Sequence, residues 1–170
     1  MSFSEQYYAS KLRESANRLP LGTQFVNSLL NDVFDVSGYC ISKPNESVDI
    51  VLRSNAQNRL YSMNYADYES MSDHQIDSAL AACWDSEKEY TDLLLAAEAD
   101  LQEGSIVRHY KNPIDTYKVT GHSLDVLSPE VVVHYIAQYG YRLPFSRTLA
   151  DFCGQVSLNG IVTRRFAVVS

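Results

Sequence analysis

The sequence predicts an α+β protein with N-terminal helices and a β-hairpin, a long acidic helix, and a small antiparallel, SH3-like β-barrel at its C-terminal end. Three observations predict it. Apolar residues recur at helical spacing early in the chain and again over residues 72–103, whereas a two-residue alternation takes over after Gly104. Turn residues divide that last stretch into five or six short strands, the signature of a small bent barrel. Charge turns acidic from residue 67 and basic after residue 103, and the predicted boundaries are 1–70, 71–103 and 104–170.

Ser2 followed by Glu5 has capping-box spacing and predicts a helix over about residues 3–18, with Phe3, Tyr7, Tyr8 and Leu12 on its apolar face. "LPLG" at 19–22 stops it, because Pro20 lacks the donor a further turn needs. A second amphipathic helix is expected from about Thr23, on the spacing of Phe25, Val26, Leu29, Leu30, Val33 and Phe34. "GYCIS" and "SVDIVLRS" then read as strands joined by a "KPNE" turn, and "RLYSMNYADY" as a third strand. Ser72 is a natural cap and Gly104 a natural stop for one long helix between them. Ile76, Leu80, Cys83, Tyr90, Leu94, Ala97 and Leu101 form its apolar stripe, interrupted by Glu87. Roughly 30 helical residues span about 45 Å at 1.5 Å per residue, enough for a spine. Beyond it, "SIVRHYK", "TYKVTG", "EVVVHYIAQY", "YRLPFS", "GQVSL" and "IVTRRFAVV" alternate as strands, with "TLADF" as a helical turn and "LNG" as a tight hairpin.

Charge narrows the functions. Residues 1–66 carry six acids and six bases; residues 67–103 carry eleven acids against Lys88; residues 104–170 carry four acids and seven bases. A middle segment of −10 repels a phosphate backbone, so direct nucleic-acid binding is not expected, while the basic last third suits a small anion. Cys40, Cys83 and Cys153 are far apart and predict reduced thiols; without close Cys or His pairs, no structural metal site and no cofactor are expected. Neither a signal peptide nor an apolar run of membrane-spanning length is evident, so no membrane partner and a cytoplasmic location are expected.

The last third carries an ordered set of short motifs: Arg108-His109-Tyr110-Lys111, then Tyr117, Val119 and Gly121, then Glu130 to Val133 with Tyr135, Tyr139 and Gly140. Arg147, Leu149 and Phe152 follow, and Gly160, Arg165 and Phe166 close the series. Over about residues 104–168 this resembles the bacterial family catalogued as domain of unknown function 1653, departing from it at "PFSRT", where that family commonly has a Trp near an Arg-Pro pair. The resemblance implies a compact barrel, no established activity, and a place among bacterial or phage accessory proteins.

Two function classes follow. In the first, Arg108, His109 and Arg147, with Tyr117 and Tyr135, hold a small anionic or nucleotide-like ligand, since guanidinium forks match carboxylate or phosphate and tyrosine faces stack on rings. The bland alternative has Arg147 satisfied internally, with Glu130 as the obvious partner. In the second, the acidic helix docks a protein with a basic surface, as a phage-type inhibitor of a bacterial system would, through Asp85, Glu89 and Asp92 with Trp84 as anchor. The bland alternative there is a solvated charged face, and a long helix with spare apolar surface also allows a homodimer. Enzymatic function is not expected: His74, His109, His122 and His134 lack a nucleophile in a recognisable context, and His122 and Ser123 point to opposite faces of a strand.

Overall fold

The computed structural model describes residues 3–85, 87–128 and 130–170, with the side chains of Phe3 and of residues 84–90 outside the description. The first helix forms as predicted, α1 over Phe3–Arg18, with Glu5 in its first turn and Arg18 in its last, each complementing the helix dipole.

The predicted second helix is instead a hairpin. Strands β1 (Gln24–Asn27) and β2 (Asp32–Ser42) pair antiparallel, with Phe25 opposite Phe34 and Val26 opposite Val33. The reason lies in the turn. The Asn27 carboxamide oxygen accepts from the backbone N–H groups of Leu29 and Leu30, both at 3.0 Å, and Asn31 takes a left-handed φ of 51°. That Asx turn reverses the chain between two β-branched and aromatic pairs, which then stack across the ladder, Phe25 on Phe34 at 5.6 Å.

β2 continues through "KPNE" into β3 (Ser47–Ser54), and β3 into β4 (Arg59–Asn64). β4 stops where the Asn64 side chain accepts from Ala66 and Asp67 N–H and opens α2 (Tyr65–Ser70), so the expected third strand is half strand and half helix. The predicted long helix is described in two stretches, α3 (Asp73–Asp85) and α4 (Glu87–Asp100), on either side of Ser86, which lies outside the described residues. Ile76, Leu80, Cys83, Leu94, Ala97 and Leu101 of the predicted stripe are buried; Tyr90 and Glu87 lie among the undescribed side chains.

After Gly104 come β5 (Ile106–His109), β6 (Asn112–Asp125), β7 (Val131–Ala137), β8 (Pro144–Thr148), α5 (Leu149–Phe152), β9 (Gln155–Leu158), β10 (Ile161–Arg164) and β11 (Phe166–Val168). These strands do not form a closed SH3-like barrel of their own. Leu124 and Asp125 of β6 pair in parallel with Tyr61 and Ser62 of β4, and Phe145 and Ser146 of β8 with Ile41 and Ser42 of β2. Edges that a private barrel would join to each other are thus taken by the first half of the chain. One mixed sheet results among the described residues, in the order β11-β5-β6-β4-β3-β2-β8-β7, with β1 on β2, a further β6–β7 ladder, and β9–β10 as a separate hairpin. Strand pairing therefore crosses the boundary predicted near residue 104. Two apolar clusters sit on this sheet, one around Phe34, Leu52, Tyr61, Met63 and Leu80, the other around Val107, Val133, Tyr135, Phe145 and Phe166.

Candidate functional site

Four of the five residues predicted to hold a ligand come together, around a filled core. The Tyr135 ring lies 5.5 Å from Tyr117, 5.7 Å from Phe145 and 5.4 Å from each of Phe152 and Phe166. Arg147 donates from Nε to the Tyr135 hydroxyl at 3.0 Å and pairs through Nη1 with Asp151 of α5, four residues on, rather than with Glu130. Arg165 reaches the other oxygen of Asp151 at 3.2 Å, so one carboxylate serves two guanidinium groups. His109 packs against Phe166 at 4.9 Å, and burial, reinforced by Arg147 and Arg165, lowers its pKa to about 4. Arg108 is exposed on β5 and takes no part in this cluster.

Beside that core opens a cleft of about 520 Å³ that the sequence did not signal. Tyr8 of α1, Lys43 of the "KPNE" turn, Tyr139 and Phe145 line it, with Glu5 and Asp115 at its margin. The half-buried Lys43 ammonium sits 4.7 Å from the Phe145 ring centroid and 5.5 Å from that of Tyr8. Among the described residues it makes no ion pair, and burial, then the nearby Arg147, lowers its proton affinity. Tyr139 is fixed by a 2.6 Å hydrogen bond between its hydroxyl and that of Tyr117. Gly140 follows in a left-handed conformation, φ 54°, where a side chain would run into the Glu5 carboxylate.

A second cleft, about 560 Å³, lies where the two parallel junctions come together. Asp49, Asp67, Asp125, Glu130 and Asp151 line it against a single cation, Arg147. Burial pushes the Asp49 carboxyl up to about 6 and raises Asp125 as well. Such a field opposes an anion.

The structure also joins Ser123 to His134, whose Nε2 lies 2.7 Å from the serine oxygen, while Cys40 sulfur lies 3.6 Å from Nδ1 and Ser62 2.8 Å from Ser123. All four are buried, Ser123 and Ser62 completely, so this chain of hydrogen bonds satisfies polar groups inside the core and offers no face to a substrate. His122 is buried with Nε2 unpartnered.

Of the residues predicted to dock a partner, Asp92 is exposed on α4, whereas the side chains of Trp84, Asp85 and Glu89 lie outside the described residues. Among the described residues no group of three or more His, Cys, Asp or Glu is placed to hold a metal, and no helix is long and apolar enough to cross a membrane.

No curated protein and no solved structure matches the chain. Its C-terminal region, from the start of β5 to the end of β11, is matched over residues 105–168 by the family described as Protein of unknown function (DUF1653).

Proposed function

We propose that the protein is a non-enzymatic binding protein that holds a small anionic or nucleotide-like ligand in the Lys43 cleft, as an accessory factor. The observation that carries this reading is a half-buried ammonium without a carboxylate partner among the described residues, seated between two aromatic rings. Glu46 and Glu5 favour the charged ammonium from a distance without pairing with it, and an incoming phosphate or carboxylate offsets the remaining cost of desolvation. Tyr8, Tyr139 and Phe145 supply faces for a planar ring, and the carboxylates of Glu5 and Asp115 at the margin suit hydroxyl donors such as those of a ribose. The acidic cleft sets five carboxylates against one cation, more than the two against one of the Lys43 cleft, and Arg147 is already paired with Asp151. Calorimetric titration against a panel of nucleotides and cyclic nucleotides tests the reading. Saturable binding that weakens with salt is expected; uniform silence from folded protein rules it out.

A second reading is favoured by one observation on α4. Leu93 and Leu95 are 49% and 58% exposed beside the exposed Asp92, an apolar and acidic mixture suited to a protein partner with a basic rim.

A further inference from the structure

We infer that the chain is an internal duplication: residues 5–68 and 87–152 are two copies of one helix–four-strand–helix unit, and the Lys43 cleft is a ligand site built at a position where the other copy carries the buried Val126.

The two copies share ladder geometry rung by rung. In the first, Gly22 N–H donates to Val36 O at 2.8 Å and Val36 N–H to Thr23 O at 2.9 Å; in the second, Gly104 donates to Val119 at 2.8 Å and Val119 to Ser105 at 2.9 Å. The β2–β3 ladder slips between Val36 and Gly38, and the β6–β7 ladder between Val119 and Gly121. After each slip the pairs run in step: Gly38 with Val51 and Tyr39 with Ile50, then Gly121 with His134 and His122 with Val133. The sequences follow suit, "FDVSGYCIS" at 34–42 against "YKVTGHSLD" at 117–125, and "YSMNYADY" at 61–68 against "FSRTLADF" at 145–152. Asn64 caps α2 where Thr148 caps α5. Upstream, Leu12 of α1 and Leu94 of α4 both pack into the apolar core.

The parallel junctions are the strongest sign. Exchanging the copies turns Tyr61–Leu124 into Phe145–Ile41, and Ser62–Asp125 into Ser146–Ser42, which are the two rungs of the other junction. The units are therefore related by a pseudo-twofold axis, and the family match covers only the second. Such correspondence of register, slip, cap and junction does not arise from composition alone.

At residue 43 the copies differ in charge and in burial. Lys43 N–H points to Ser146 O at 3.4 Å and Val126 N–H to Ser62 O at 2.8 Å, so the two residues occupy equivalent positions. Val126 is 8% exposed and packs in the cluster that contains Leu94, Ala97 and Tyr61. The fold is thus content with an aliphatic residue there, and a lysine at the equivalent place is not demanded by packing. Lys43 lines a cleft, whereas Val126 is buried among apolar side chains. This assignment of a single ligand site rests on the reading of the Lys43 cleft given above.

The test uses the full chain, as wild type, Lys43→Val, Lys43→Met and Val126→Lys, with thermal unfolding and with titration of adenosine 5′-monophosphate. Lys43→Val, which installs the sister residue, is expected to melt at or above the wild-type temperature while affinity for the nucleotide falls at least tenfold. Lys43→Met follows it, and Val126→Lys, which buries a charge beneath α4, melts well below wild type. If Lys43→Val and Lys43→Met both melt several degrees low, positions 43 and 126 are not equivalent and the inference fails. If both variants melt as expected but the wild type binds no nucleotide, the ligand site fails and the duplication stands.

Discussion

His134 shows how far burial alone decides the chemistry of a residue. Its ring is hydrogen-bonded between Cys40 and Ser123, and burial, with His122 nearby, lowers its pKa to about 4 from the ordinary 6.5. His109 is lowered to about 4 as well, by burial and then by Arg147. Between pH 6.5 and about 4 both imidazoles bind fewer protons in the folded protein than in the unfolded chain, so their contribution is present above pH 6.5 and is lost as pH falls through that window. Asp49 acts in the opposite sense. Pushed up to about 6 from 3.8, it binds more protons when folded and favours the fold as pH falls. The lowered His122 and the raised Asp125 oppose one another in the same way. Two strongly lowered imidazoles outweigh one raised carboxyl, so the urea midpoint is expected to fall from pH 7 to pH 4.5. His134→Gln flattens that dependence by about one proton; an unchanged slope would remove His134 as its source.

Among the elements, the end of α3 and the start of α4 carry the partner hypothesis. Reversing Asp85, Glu89 and Asp92 to Lys is expected to leave the far-ultraviolet spectrum and nucleotide titration unchanged while abolishing capture of a basic partner; loss of nucleotide binding in that variant would contradict the separation of the two surfaces. The elements also show what was legible. After Gly104 most strands were read near their place, because turns such as "LNG" are local signals, with Asn159 and Gly160 both at positive φ, but "IVTRRFAVV" is not one strand: it divides into β10 and β11, which pair with different partners. The segment from Thr23 was misread because Phe25, Val26, Val33 and Phe34 satisfy helical spacing as well as a hairpin does, and the deciding contact is made by one side chain, that of Asn27. The candidate site was less legible. Arg147 was read as a ligand-holding residue with Glu130 as its internal alternative, yet its partner is Asp151, four residues on in α5. Lys43 was passed over as a turn residue; the signal that could have found it is the internal match that sets it against Val126.

At the scale of the molecule, the parallel junctions β4–β6 and β8–β2 were beyond any local pattern, since each joins strands from different halves through only two rungs. They also bind the halves into one structure. Val126 and Val131 of the second copy lie in the first apolar cluster, and Ile41 of the first copy lies in the second. Neither half keeps its interior without the other.

Near-identical seams have a cost during folding. A chain whose first half has folded presents β2 and β4 edges that the β8 and β6 of a neighbouring molecule fit as well as its own. Refolding from denaturant is therefore expected to yield intertwined pairs in a proportion that rises with protein concentration, read by size-exclusion chromatography, whereas a concentration-independent monomer yield would show that the tether through α3 and α4 outcompetes strangers. Ancestral symmetry of this kind leaves a polypeptide able to mistake another molecule for itself.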